Sequence, residues 1–350
     1  MALGVPVDVA QRLVGRTLLK AARSSDGRGE SLPQEAWTEE LARKYNSVPV
    51  DELLDDPQFF GAVGGKDLWP EVRKDIIELW RERKENNVSV FLDEEGIGSG
   101  KTTKMAAICA LMMYQALTDW DFRKRFGLMK QSRVAFITGS RGKVQSQEVT
   151  FDSFLPFCGS PFLRKYFPSN YRQEDFDPAV GGTRRVPKAI RFPGNFFVFP
   201  LSSEALSLLG YSIYVFSLDE ANYLDMVVGS RRAIDGPVYD AAQNLFEEAL
   251  ARCESRFKVN GVNHGLIMMV SNRRHSKGFL SRMINLVQRG RRDEIEYLPP
   301  TMVRSRNSWD ARPAQLMSKE YFVFDTQTMT SCGEGVFGDS KFPNVPERRG

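Results

Sequence analysis

The stretch Val88-Ser-Val-Phe-Leu-Asp-Glu-Glu-Gly-Ile-Gly-Ser-Gly-Lys-Thr-Thr103 decides how the chain is read. Val88 to Leu92 is a short apolar run that suits a buried strand, and Met105 to Leu117 is apolar nearly all round, as a central helix should be. Between them lie Gly96, Gly98 and Gly100. Strand, glycine loop and helix in that order form a phosphate cradle. Glycines let backbone N–H groups turn onto phosphate oxygens, and the helix start adds partial positive charge. Lys101 is placed to reach β- and γ-phosphates and the Thr102 hydroxyl to ligate Mg²⁺, with Gly96, Gly98, Ser99, Gly100 and Thr103 completing the loop. The GxxxxGK[ST] pattern is met only in part, because Glu95 occupies the place of the first glycine. The competing reading is a flexible turn that contains Gly-Lys-Thr by chance; the flanking strand and long apolar helix weigh against it.

A second motif gives the loop a partner. Ile213-Tyr-Val-Phe-Ser-Leu-Asp219-Glu220 is an apolar strand ending in two acids. A strand adjacent to the phosphate loop, delivering acids at its carboxyl end, would bring them to the metal and the attacking water. Asp219 would hold Mg²⁺, and Glu220 would orient and deprotonate the water. Two solvated acids at a strand end are the alternative. A third run, Leu266-Ile-Met-Met-Val-Ser271-Asn272, ends in small polar residues where loss of the γ-phosphate could be sensed; a plain polar turn is its alternative.

Arg133 to Thr138, Phe196 to Leu201 and Gly265 to Ser271 read as further strands, and Trp69 to Lys84 as a helix with Pro70 in its first turn. Strands alternating with helices predict an α/β fold with a mostly parallel sheet covered on both faces. The expected organisation is an N-terminal helical, acidic extension over 1–60, a core over 61–300 and a C-terminal extension over 301–350. Within the core, 157–193 reads as an insertion or long connection. The acids between Glu30 and Asp56 read as a solvated helical face.

Composition narrows the class. The chain has 350 residues, 42% of them hydrophobic and 26% charged, which is ordinary for a globular protein. A net charge of +4 is too balanced to prove a nucleic-acid partner. Four scattered cysteines and two histidines form no CxxC pair, so a structural zinc site is not expected and a reducing compartment is. The first 22 residues lack the apolar core of a signal peptide.

The combination GxGSGKTT, the Gly210 loop leading into FSLDEAN, and a strand-ending SN followed by KGFL resembles the ATPase half of a tailed-phage large terminase subunit, from about Leu68 to Phe324. The resemblance implies a RecA/ASCE-like P-loop NTPase. It would hydrolyse ATP with Mg²⁺ and drive double-stranded DNA into a procapsid in the cytoplasm of an infected bacterium. A homo-oligomeric ring, a portal protein and a small terminase subunit are the implied partners. Carried over by position, Lys101 and Thr102 form the nucleotide pair, Asp219 and Glu220 the acidic pair, and Ser271 and Asn272 the coupling motif. Many terminases carry an arginine where this chain has Ile97. The family also supplies an arginine finger, but Ser202 to Leu218 contains no arginine; Arg231, Arg232, Arg252 and Arg256 are the substitutes, with Arg256 favoured. The family's nuclease domain needs several acids that bind two metals. The 26 residues after Phe324 do not supply them, so nuclease activity is not expected of this chain.

Arg273 to Arg292 carries seven bases and no acid, and Arg273, Arg274, Lys277 and Arg282 are the expected contacts to DNA phosphates, independent of sequence. An ordinary basic surface is the alternative. Trp69 and Arg73 are the candidate adenine contacts. A DEAD-like helicase, to which Asp219-Glu220-Ala221-Asn222 is similar, or another nucleic-acid-dependent ATPase remains open, as does a nucleotide-regulated DNA-binding scaffold with weak hydrolysis.

Overall fold

The computed structural model describes residues 37–141, 146–170, 189–202, 211–224, 226–228, 238–272, 278–290, 298–306, 320–325 and 330–336. In chain order the first elements are helices α1 (Glu39–Asn46), α2 (Val50–Asp55) and α3 (Pro70–Asn86), strand β1 (Val90–Glu95), helices α4 (Lys101–Thr118) and α5 (Phe122–Arg125), and strand β2 (Val134–Ser140). Helices α6 (Asp152–Cys158) and α7 (Pro161–Tyr166) and strands β3 (Ile190–Phe192), β4 (Phe196–Ser202) and β5 (Ser212–Leu218) follow. Then come β6 (Met226–Val228), β7 (Val238–Asp240), α8 (Ala241–Phe257), β8 (Lys258–Val259), β9 (Val262–Asn263) and β10 (Leu266–Ser271). The last elements are α9 (Phe279–Gln288), β11 (Thr301–Arg306), β12 (Glu320–Asp325) and β13 (Thr330–Val336).

One sheet organises the chain, in the order β11-β1-β10-β5-β2-β4-β3. Neighbours from β11 to β4 are parallel, and β3 alone turns back antiparallel on β4. Parallel strands buried on both faces read as continuous apolar runs, which is why β2, β5 and β10 were legible; every residue of the three is buried. Helices cover both faces. Successive residues of β1 point to opposite sides, so Glu95, which meets Lys104 of α4, and Glu94, which meets Ser281 of α9, place those two helices on opposite faces. The fold is therefore the expected α/β one, a mostly parallel sheet with helices on both sides.

Three expectations change. The Asp219 strand is not adjacent to the strand of the phosphate loop, because β10 lies between β1 and β5 and pairs with both. The core does not stop at residue 300, since β11 pairs with β1 along its whole length. Strand β1 does not end at Leu92 but runs on through Asp93, Glu94 and Glu95, all buried.

The expected insertion over 157–193 contains α7 and β3, and its residues 171–188 lie outside the described ones. Toward the N-terminus, α1 and α2 turn their acids to solvent as expected: Glu39, Glu40, Asp51, Glu52 and Asp55 are exposed. Their apolar sides do not form a separate body. Trp37 and Tyr45 join the main core, where their rings meet Phe162 of α7. Tyr114 of α4 donates to the Tyr45 carbonyl at 2.8 Å, fixing α1 on the central helix. Cys109, Cys158 and Cys253 are buried and free. No described helix is long and apolar enough to cross a membrane.

Candidate nucleotide site

Parallel strands deliver their carboxyl ends to one edge of a sheet, and that edge collects the site. The loop after β1 rises through Gly96 and turns into α4 at Lys101. Gly98 (φ 74°) and Gly100 (φ 88°) adopt left-handed backbone that a side chain resists. At Gly100 a Cβ would also lie 2.9 Å from Cγ2 of Val72 and 3.7 Å from the Trp69 ring, so α3 seats the loop closely. Trp69 thus flanks the loop. Arg73 does not share that position: its guanidinium forms two bonds to the Asp55 carboxylate, at 2.5 and 2.7 Å, and a third to the Asp51 carbonyl. The adenine role expected of Arg73 conflicts with this engagement on α2.

Lys101 turns its ammonium back into the loop. It donates to the carbonyls of Glu95 (3.2 Å) and Gly96 (2.8 Å), to Ser99 Oγ (3.4 Å) and to Asn272 Oδ1 (2.6 Å). Burial pushes its pKa down, opposed by Asp93, Asp219, Glu95 and Glu220. Thr102 donates its hydroxyl proton to Asp219 Oδ2 at 2.8 Å, across 117 positions of sequence. A hydroxyl and a carboxylate oxygen held side by side at the start of α4 are the oxygen donors that a hard divalent cation takes. Residues Thr102 and Asp219 therefore fit Mg²⁺. Thr103 is exposed in the first turn, and Ile97 projects into solvent, 73% exposed.

Asp219 extends past β5, its N–H bonded to the Gly139 carbonyl at 2.8 Å. Glu220 follows in left-handed backbone (φ 60°), and its own N–H donates to Asp219 Oδ1. That turn swings the Glu220 carboxylate toward the end of β10, where Asn272 Nδ2 lies 3.5 Å from Oε1; Oε2 is buried and has no hydrogen-bond partner among the described residues. Burial raises the pKa of both acids, and for Glu220 the neighbouring Asp219 adds to the rise. A buried carboxylate oxygen that accepts no hydrogen bond from the described residues is available for a proton or a water O–H.

Asn222, which sequence reading overlooked, ties these pieces together. Its N–H donates to Ser271 Oγ (3.1 Å), and its Nδ2 donates to Glu94 Oε1 (3.0 Å), the Asn272 carbonyl (3.1 Å) and Ser281 Oγ (3.3 Å). Its Oδ1 accepts from the N–H groups of Leu280 (3.0 Å) and Ser281 (3.3 Å), capping the first turn of α9. Gly278 fits only because it has no Cβ, which would stand 2.5 Å from that Oδ1. No local pattern marks this role, because the helix that Asn222 caps begins far along the chain, at Phe279.

Among the described residues, other expected ones lie outside this group. Arg256 sits exposed in the last turn of α8, beside the β8–β9 hairpin that leads into the amino end of β10. Strand β10 carries Asn272 at its other end, so the favoured catalytic arginine lies away from this chain's own nucleotide edge. Arg252 pairs with Glu248 at 3.6 Å. Arg282 is half-buried on α9, next to the capped turn, while Arg231, Arg232, Arg273, Arg274 and Lys277 lie outside the described residues.

No curated protein matches the chain. Among solved structures, it is similar to the crystal structure of the HK97 bacteriophage large terminase, at 14% identity and a TM-score of 0.36. That likeness covers 67% of this chain and 38% of the terminase, so the chain spans well under half of that protein. The family model described as "Uncharacterized protein MJ0330, N-terminal P-loop domain" matches residues 67–329, from the residue before Leu68 through the whole described site. The loop, the paired acids and the sheet that joins them thus belong to a chain of the MJ0330 N-terminal P-loop domain family.

Proposed function

We propose that this chain is a Mg²⁺-dependent ATPase that couples hydrolysis to movement of double-stranded DNA, as the ATPase portion of a phage terminase does. One observation carries the chemical half: Lys101, Thr102, Asp219, Glu220 and Asn272, drawn from three separate segments, meet at one edge of the sheet. Lys101 would exchange its loop carbonyls for β- and γ-phosphate oxygens. Thr102 and Asp219 would hold Mg²⁺, which when bound draws charge from the phosphates. Glu220 would take a proton from the attacking water through its unpartnered oxygen. Asn272 touches both the lysine and the glutamate, and in this reading it would register the γ-phosphate.

The DNA half rests on the motif order and on α9. Asn222 caps that helix from the acidic turn, and the basic run from Arg273 to Arg292 surrounds it in sequence. A change at Glu220 could reach Arg282 through this cap. Portal protein, small subunit and ring assembly, with an arginine finger supplied by a neighbouring copy, belong to the same reading.

The test is ATP hydrolysis with and without linear duplex DNA, at low and high salt. Stimulation by duplexes of unrelated sequence, fading as salt rises, is expected. Hydrolysis unchanged by duplex DNA of any sequence at low salt would overturn the DNA half and leave the ATPase half standing.

A further inference from the structure

Glutamate at the place of the first loop glycine is a departure that the site itself does not explain. In the structure its side chain enters a buried cluster of charges beneath the loop. Lys104 Nζ lies 2.7 Å from Asp75, 2.9 Å from Asp93 and 2.9 Å from Glu95, and is fully buried. From β11, Arg306 brings Nε to 2.6 Å from Glu95 Oε1 and also pairs with Asp75, while Arg304 Nε lies 3.1 Å from Asp75. Asp75, Asp93 and Glu95 thus meet Lys104, Arg304 and Arg306, and the two arginines also pair with Glu78 and Glu71 at the rim of the cluster.

Burying such a cluster is a poor way to gain stability, because desolvation offsets most of the attraction and apolar packing would serve as well. Its geometry has a more specific effect. The Glu95–Lys104 pair joins the residue before the loop to the first turn of α4, bracketing residues 96–100. Arg306 meets the same segment twice: its carbonyl accepts from Gly96 N–H at 3.2 Å, and its guanidinium stands in ion-pair contact with the Glu95 carboxylate, with no hydrogen bond aligned along Nε. The two carbonyls so fixed, of Glu95 and Gly96, are those that hold the Lys101 ammonium.

We propose that Glu95 and Arg306 are positioning residues for the nucleotide loop: clamped between Lys104 and Arg306, the Glu95 carboxylate holds residues 95 and 96 so that Lys101 is preset for phosphate. The proposal rests on the nucleotide-site reading above. It also makes β11, the last strand of the sheet, respond to whether the loop is filled.

The experiment measures Mg-ATP affinity by calorimetry on the full chain, alongside melting temperature, for the wild type, Lys101→Ala, Glu95→Gln, Arg306→Gln and the Glu95→Gln/Arg306→Gln pair. Expected is ~10-fold weaker binding for each single variant, and a double variant no weaker than the worse single one, because the two act through one contact. Wild-type affinity in the folded single variants, or losses that simply add, would overturn the proposal while loss of binding in Lys101→Ala still upheld the nucleotide site. A wild type that binds no ATP would sink both. If the variants do not fold, hydrogen exchange on the wild type decides: slower exchange across Thr301–Arg306 on adding Mg-ATP is expected, and unchanged exchange there contradicts the clamp.

Discussion

The Lys101 ammonium lies 2.6 Å from Oδ1 of Asn272, 171 positions along the chain, and the same amide places its Nδ2 3.5 Å from Glu220. One side chain therefore contacts the group that would bind phosphate and the group that would activate water. Its loss should disturb the second more than the first, since three other oxygens still hold Lys101. For Asn272→Ala the expected outcome is a fall in kcat of ~10²-fold from mispositioning of Glu220, with KM changed only a few-fold. Steady-state ATP hydrolysis checks this, and a change confined to KM would assign Asn272 to binding alone.

Glu220 occupies left-handed backbone that favours glycine. Such a conformation costs a non-glycine residue ~1–2 kcal/mol, so the turn stores strain to aim the carboxylate. Glycine relieves that strain but adds backbone entropy to the unfolded chain, so Glu220→Gly is expected to raise the melting temperature by only about 1–2 °C while abolishing hydrolysis. A thermal melt read beside an activity assay checks both, and a lower melting temperature would mean that the side chain supports the fold.

Lys104 and Arg73 form ion pairs of very different worth. Removing the Lys104 ammonium would leave Asp75, Asp93 and Glu95 buried with one base fewer, so Lys104→Met should cost ~3–5 kcal/mol. Arg73 pairs with an Asp55 side chain that is 58% exposed, and Arg73→Ala should cost no more than ~1 kcal/mol. Urea unfolding of both variants checks the ranking, which equal losses would contradict.

Asp93 gives stability a pH dependence. Burial drives its pKa up to about 6 against the pull of Lys104, and among the described residues neither carboxylate oxygen has a well-aimed hydrogen bond. The folded chain then keeps this proton to higher pH than the unfolded chain, whose value is near 3.8. As pH rises from about 4 to 6, the contribution of this group falls, by up to ~3 kcal/mol, and it changes little above that interval. Urea midpoints of wild type and Asp93→Asn across that range should diverge in this sense; parallel curves would show that Asp93 is ionised throughout.

The apolar parts of the fold were open to sequence reading because burial on both faces writes continuous runs such as Val134 to Ile137 and Leu266 to Val270. The charged parts were not. Asp93-Glu94-Glu95 reads as loop, since acids are depleted in strands. Only their partners, Lys104 and Arg306 on one face and Asn222 and Ser281 on the other, make the extension of β1 tenable. Strand β11 hid for the same reason, as Arg304 and Arg306 interrupt its apolar pattern to reach Asp75 and Glu95. Strand order was also beyond local pattern: nothing in Leu266 to Ser271 says that it lies between β1 and β5. Lys101, Thr102, Asp219 and Glu220 were legible because glycines and a strand-ending acid pair mark their places, whereas Asn222 acts through contacts scattered over 94–281.

The most direct measurement of the central claim is ATP binding and single-turnover hydrolysis by Glu220→Gln. With Lys101, Thr102 and Asp219 intact, the variant should bind Mg-ATP within a few-fold of wild type and hydrolyse it ~10²–10⁴-fold more slowly. Hydrolysis at the wild-type rate would contradict the assignment of Glu220 as the base, and with it the reading of this edge of the sheet as an ATPase site.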